Sequence, residues 1–256
     1  MMDGGTQVPI AFSADRLTKR YGTVRAVDAI SLSVPGCGIF GLLGRNGAGK
    51  STTIKMLTTL LPPTSGTATV AGFDVVRQPL DVRRRIGYVP QMPSADVDLT
   101  GYENLLIFAK LYVVPRSMRA ERIDDALSFM GLQEYRNTLV GRYSGGLRRR
   151  LEMAQSMLHR PQVLFLDEPT EGLDPVARHA VWERLRALPT QFGTTVVLTT
   201  HYMDEAEALC DRVCFLHQGS IAAEGTPGEL KAKAGEAATL DDVFLRVTGG
   251  PTEESA

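Results

Sequence analysis

The sequence predicts an α/β fold, with an antiparallel β subdomain ahead of a core of buried strands and a helical subdomain inserted into that core. Three observations carry this. A short apolar run, Gly38–Leu43, leads into a glycine-rich loop and then a segment of helical period. A further continuous apolar run, Val163–Leu166, and the segment Thr194–Thr199 with Val196, Val197 and Leu198 at its centre read as buried strands. Between about residues 92 and 142 nothing resembles a strand, while helix-start signals recur.

Taken in order, residues 1–9 are expected to be a disordered lead, 10–248 one domain with its helical insert at about 92–160, and 249–256 a polar tail. Phe12–Lys19 and Val24–Val34 read as two strands split by a turn at Tyr21-Gly22. Within the second, Ile30, Leu32 and Val34 alternate with serines at period two, the pattern of a half-buried antiparallel strand. After the glycine-rich loop, Thr53–Leu60 places Ile54, Leu57, Leu60 and Leu61 on one helix face. Pro62-Pro63 breaks it, a β segment covers Thr67–Val70, and Gly72–Asp74 reads as a turn. Ile86–Val89 is a short strand running toward Gln91.

In the insert, Thr100 and Glu103 form a capping box opening a helix with Leu105, Leu106, Phe108 and Leu111. A second helix covers Arg119–Met130 and stops at Gly131. A third follows Ser144, with Leu147, Leu151, Ala154 and Leu158 as its buried face, and ends at Pro161. Arginine is the default basic residue of this chain, so Arg148-Arg149-Arg150 reads as the solvated face of that helix. Asp174-Pro175 starts a helix that Pro189 closes. Strands at Val213–His217 and Ile221–Ala223, a capping box at Thr226–Glu229 and a short helix around Thr239–Val247 complete the chain.

Composition narrows the function. A formal net charge of −1 over 256 residues gives no global attraction to nucleic acid or anionic lipid, so no nucleic-acid partner is expected. Cys37, Cys210 and Cys214 offer neither a disulfide framework nor metal-ligand spacing; the last two read as small core residues, and reduced thiols in the cytosol are expected. The first residues lack the pattern of a signal peptide. The uncharged run Ala29–Gly44 is too short and too broken to span a bilayer. A soluble chain is expected, with any membrane role supplied through a partner.

The chemistry centres on Gly44-Arg45-Asn46-Gly47-Ala48-Gly49-Lys50-Ser51-Thr52, which fits the P-loop pattern between a strand and a helix. Its glycines let successive backbone N–H groups converge on phosphate oxygens at a helix N-terminus. Lys50 can neutralise the β- and γ-phosphates, and the Ser51 hydroxyl can ligate Mg²⁺. The core is therefore read as that of a P-loop NTPase. The strand Val163–Leu166 delivers Asp167 and Glu168 at its end. Asp167 suits a water-mediated hold on Mg²⁺, and Glu168 can orient and deprotonate the water attacking the γ-phosphate.

These residues resemble the nucleotide-binding subunit of an ATP-binding-cassette (ABC) transporter, over about residues 12–248. The resemblance implies ATP and Mg²⁺ as ligands. It implies that Tyr21 stacks on adenine, a contact of about 1–3 kcal/mol per base. Gln91 resembles the glutamine that touches Mg²⁺ or the attacking water and joins the core to the insert, and His201 the switch histidine that contacts the γ-phosphate. Glu171–Asp174 corresponds to the D-loop. Tyr143-Ser144-Gly145-Gly146-Leu147 resembles the signature loop, commonly Leu-Ser-Gly-Gly-Gln, which caps ATP held by the opposite subunit. Ser144, Gly145 and Gly146 keep the phosphate-binding part, while Tyr143 and Leu147 depart from the common form.

The Tyr-Ser-Gly-Gly form, with Leu240-Asp241-Asp242-Val243-Phe244, resembles the type-2 exporter branch that includes daunorubicin/doxorubicin resistance ATPases. That implies a subunit at the inner face of the cell membrane, a homodimer on ATP binding, and a separate permease touched by the helical insert. An ABC importer subunit is the closest alternative. A ribosome- or chromosome-directed ABC ATPase fits less well, because one P-loop is present and no long heptad arms separate it from the signature loop. A GTPase would need an Asn-Lys-x-Asp motif, which is absent.

Overall fold

The computed structural model describes residues 9–235 and 237–249. All but the last residue of the expected lead, and all but the first of the expected tail, lie outside the described residues. Strands β1 (Ile10–Tyr21) and β2 (Val24–Pro35) form a hairpin, and β1 also pairs with β4 (Ser65–Val70), which pairs with β5 (Phe73–Asp74). The result is an antiparallel sheet of order β2-β1-β4-β5. The period-two pattern of β2 translates directly into burial: Ile30, Leu32 and Val34 face inward, Ser31 and Ser33 outward.

A second sheet has the order β10-β9-β3-β8-β7-β6. Strands β3 (Ile39–Leu43), β6 (Ile86–Val89), β7 (Val163–Asp167), β8 (Thr195–Thr200) and β9 (Arg212–His217) run parallel, and β10 (Ser220–Gly225) returns antiparallel beside β9. Because both faces are covered, β3, β7 and β8 are buried along their whole length. Their side chains divide between two cores. Phe40, Phe165 and Val197 join Phe12 and Ile54 on one face, under the antiparallel sheet and helix α1 (Lys50–Leu57). Leu43, Leu164 and Leu198 join Trp182 and Leu185 of α6 (Pro175–Phe192) on the other. The Phe12 ring lies 5.9 Å from Phe40 and 6.3 Å from Phe165, which seats β1 on the parallel sheet.

A short helix α2 (Pro79–Arg83) precedes β6. Between β6 and β7, which are sheet neighbours, the chain inserts α3 (Gly101–Leu111), α4 (Arg119–Met130) and α5 (Gly145–Met157), with no strand among the described residues. The capping box closes as expected: Glu103 N–H donates to Thr100 Oγ1 at 3.2 Å and Thr100 N–H to Glu103 Oε2 at 2.8 Å. Gly131 ends α4 in the left-handed conformation. Helices α7 (Met203–Leu209), α8 (Pro227–Ala234) and α9 (Leu240–Thr248) cover the C-terminal side of the core.

The structure corrects several expectations. Helix α1 begins inside the glycine-rich loop and ends at Leu57; Thr59 turns left-handed, leaving Leu60 exposed. Leu111 is exposed at the end of α3, whose inward side holds Asn104, Leu105 and Ala109. Helix α6 does not stop at Pro189 but continues to Phe192, ending at Gly193. One missing N–H near a helix end is offset there by packing, since the Phe192 and Phe129 rings meet edge-on at 5.0 Å. The arginine run is not a solvated face: Arg149 is only 7% exposed, and Arg150 donates to the Met130 carbonyl at 2.9 Å.

Candidate functional site

The loop between β3 and α1 holds its shape through two glycines that no other residue could replace. Gly44 has φ +156 and a Cβ there would lie 2.4 Å from the Leu216 carbonyl; Gly49 has φ +105 and would meet the Ala26 carbonyl at 2.5 Å. No side chain caps the N-terminus of α1, so its first N–H groups stay free for an anion. Lys50 is buried and its Nζ donates to the carbonyls of Gly44 (2.7 Å) and Arg45 (3.2 Å). Arg45, Asn46 and Gly47 are exposed, Ala48 is buried, and Ser51 and Thr52 are half-buried. With Ala26, Gln91 and Glu168 this loop lines a cleft of about 400 Å³.

Strand β7 brings the acids to the same place. Ser51 Oγ donates to Asp167 Oδ1 at 3.0 Å, and Thr199 Oγ1, from β8, donates to the same oxygen at 2.6 Å. The Thr199 hydroxyl also accepts from Glu168 N–H at 2.9 Å. Glu168 has φ +49, a left-handed conformation that costs a non-glycine residue about 1–3 kcal/mol and needs its surroundings to enforce it. The turn aims the Glu168 carboxylate back across the cleft. Its Oε1 lies 3.1 Å from Lys50 Nζ and its Oε2 2.9 Å from His201 Nδ1. Lys50, Glu168 and His201 thus form one contiguous set, and Ser51 with Asp167 a second beside it.

Ser51 and Asp167 supply hard oxygen donors and fit Mg²⁺, which takes one or two protein oxygens and completes its shell with water and substrate phosphate. No cluster of three or more His, Cys, Asp or Glu side chains is arranged for a metal among the described residues. Gln91 lines the cleft but its amide donates to Glu171 Oε2 at 2.6 Å. Tyr21 stands half exposed at the tip of the β1–β2 hairpin, whose second strand supplies Ala26 to the cleft. Ser144 caps α5, accepting from Leu147 N–H at 3.3 Å, and Ser144 and Gly145 are exposed. None of Ser144, Gly145 and Gly146 lines the cleft of their own chain. The unusual Tyr143 is a core residue of the insert: its ring is buried and its hydroxyl donates to the Tyr135 carbonyl at 2.8 Å.

Three residues escaped the sequence reading. Thr199 joins both acids, and the short polar run after its strand was the available signal. Glu205 is fully buried and accepts from Thr170 Oγ1 (2.6 Å) and Trp182 Nε1 (2.9 Å); burial raises its carboxyl above the usual range despite these bonds. Arg149, the third, is buried against the carbonyl side of the acids.

This geometry can be set beside known proteins. The family model described as ABC transporter matches residues 27–171. The chain is 49% identical to the daunorubicin/doxorubicin resistance ATP-binding protein DrrA of Streptomyces peucetius, over 90% of this chain and 69% of that protein. It is 45% identical to the Nod factor export ATP-binding protein I of Ralstonia nicotianae, over 85% of this chain and 68% of the relative. A solved structure described as the ATP binding subunit of an ABC transporter superposes with TM-score 0.82 at 28% identity, covering 93% of this chain and 99% of the other. The cbiO1 protein from Clostridium perfringens, part of the cbiONQ complex, superposes with TM-score 0.81 at 26% identity, over 88% and 92% of the two chains. Phosphate loop, paired acids, two-sheet fold and these likenesses agree: the chain belongs to the ABC transporter family, as an ATP-binding, ATP-hydrolysing subunit.

Proposed function

We propose that this subunit powers an exporter of drug-like or other lipophilic compounds by closing two copies of itself around two ATP molecules. One observation carries the two-copy reading: Ser144 and Gly145 at the head of α5 are exposed and, like the buried Gly146 behind them, stand outside their own chain's cleft, so this exposed helix start is available to the ATP of a second copy. Export is supported by the relatives, which are named for drug resistance and Nod factor export. In each half-site the loop Gly44–Thr52 grips the phosphates, Tyr21 stacks on adenine, and Lys50 offsets the phosphate charge. Ser51 and Asp167 would hold Mg²⁺, whose charge offsets that of the β- and γ-phosphates. Glu168 takes the proton of the attacking water, His201 contacts the γ-phosphate, and Gln91 reports on the water or metal.

Gly145→Asp tests the two-copy site. A side chain at Gly145 would meet nothing closer than Leu173 Cδ2 at 3.5 Å, so the variant has room to fold. The new carboxylate would face the other copy's γ-phosphate, and like charges in a closed interface cost several kcal/mol. ATP binding to the separated subunit is expected to stay near wild type while hydrolysis falls by about 10²-fold or more. Wild-type turnover in the folded variant would refute the two-copy reading.

No helix among the described residues is long and apolar enough to cross a membrane, and we place the subunit peripherally on the inner face of the cell membrane, held by a separate permease. The proposed seat is a groove of about 630 Å³ between α2, the end of α3 and His159. Its lining sets exposed apolar side chains, with Val113 at 81% and Leu80 at 63% exposure, beside Arg83, Arg84 and Arg122. Val113→Asp is expected to weaken the permease complex by about 2 kcal/mol, or roughly 30-fold, seen as loss of co-purification in mild detergent. Undiminished recovery would move the permease contact elsewhere.

A further inference from the structure

We propose that Arg149, held by Glu152, is a positioning residue that ties the aim of the Glu168 carboxylate to the placement of α5 and of the segment carrying Gln91. The proposal rests on the reading of Glu168 as the base. The Arg149 guanidinium has five N–H donors, and each has an acceptor. Nε donates to the Pro169 carbonyl at 2.9 Å. Nη2 donates to the carbonyls of Asp167 (2.9 Å) and Glu168 (3.3 Å). Nη1 donates to the Pro90 carbonyl at 2.7 Å and to Glu152 Oε2 at 3.1 Å.

One side chain therefore grips the left-handed turn at Glu168 on its carbonyl side, opposite the Thr199 hydroxyl that holds its N–H. The same fork fixes the residue just before Gln91. Glu152 extends the link, since its Oε1 accepts from Ser94 N–H at 2.7 Å. Arg149 lies in the second turn of the helix that Ser144 caps, so any shift of the signature loop relative to β7 strains these bonds. Buried pairs of this kind add little net stability over apolar residues, which leaves geometry as their use. A lysine, with three donors on a compact head and no fork, keeps the charge but cannot serve all five acceptors.

The test uses the full chain, with steady-state ATP hydrolysis and the Kd of a fluorescent ATP analogue. Arg149→Lys is expected to lower kcat by about 10–100-fold, the cost typical of a misplaced reacting group, while the nucleotide Kd stays within about threefold. In a Glu168→Gln background the same substitution should change the residual rate by less than about twofold, because the group it positions is gone. Glu152→Gln, which keeps the Ser94 bond but weakens the hold on Arg149, should show a smaller fall with the same dependence on Glu168. It decides the matter if the lysine variant does not fold. An unchanged kcat, or a fall that persists in full without Glu168, overturns the proposal. Failure of the underlying reading looks different: Glu168→Gln alone would then turn over at the wild-type rate, and the proposal would fall with it.

Discussion

Lys50→Ala is expected to abolish measurable ATP hydrolysis and to raise the Kd for ATP by roughly 10²–10³-fold. The amine is buried where the phosphates must sit, and truncating one member of a buried charge pair costs about 2–5 kcal/mol. The empty subunit should suffer as well. Lys50 Nζ is 3.1 Å from Glu168 Oε1, and its loss leaves that buried carboxylate with only the His201 ring as partner. A lowered Tm in the absence of nucleotide is therefore expected alongside the loss of binding. Calorimetric titration with ATP, phosphate release and a thermal melt read all three. Turnover near wild type would remove the foundation of the site.

Glu168→Gln separates the base from the metal ligand. The amide keeps shape and hydrogen bonding but cannot take a proton, and losing a general base typically costs about 10²–10⁴-fold in rate. Ser51 and Asp167 remain joined at 3.0 Å, so the oxygens proposed to hold Mg²⁺ are untouched. The substitution also releases Lys50 from an ion pair that incoming phosphate has to displace, so ATP should bind at least as tightly as in wild type. The variant is expected to accumulate as an ATP-bound closed pair. Asp167→Asn should differ, weakening Mg²⁺-dependent binding itself. Size exclusion with light scattering in Mg-ATP, beside phosphate release, distinguishes them. Wild-type phosphate release from Glu168→Gln excludes the catalytic role, and loss of ATP binding in that variant makes Glu168 a binding residue instead.

Much of the fold was legible because its signals are local. The strand at Ile86–Val89 and the limits of α4 came from apolar runs and from Gly131, features read within a few residues. The phosphate loop and the acids after Leu166 were legible for the same reason: loop chemistry and strand end are contiguous in the chain. What escaped depends on partners far away. Helix α2 is too short to show a period, and β5 exists only because β4 pairs with it. Pro189 misled because packing at Phe192 outweighs local preference. Arg149 reads as a solvent residue because nothing beside it in the sequence shows that carbonyls from residues 90 and 167–169 converge on its position.

The insert leaves the parallel sheet after β6 and re-enters it at β7, two strands that lie side by side. Its whole length of chain thus hangs from one seam, and replacing it alters no strand order or register. The seam is also tolerant of sequence. Where Arg149 crosses into the strand core it meets main-chain carbonyls, which every residue type provides. If the insert docks on the permease as proposed, a different insert could be grafted at this seam while the two sheets and the phosphate loop stay as they are, provided its last helix brings its own Ser-Gly-Gly head, arginine and glutamate. The proposed docking face can thereby vary while the phosphate loop and the acids at the end of β7 keep their places.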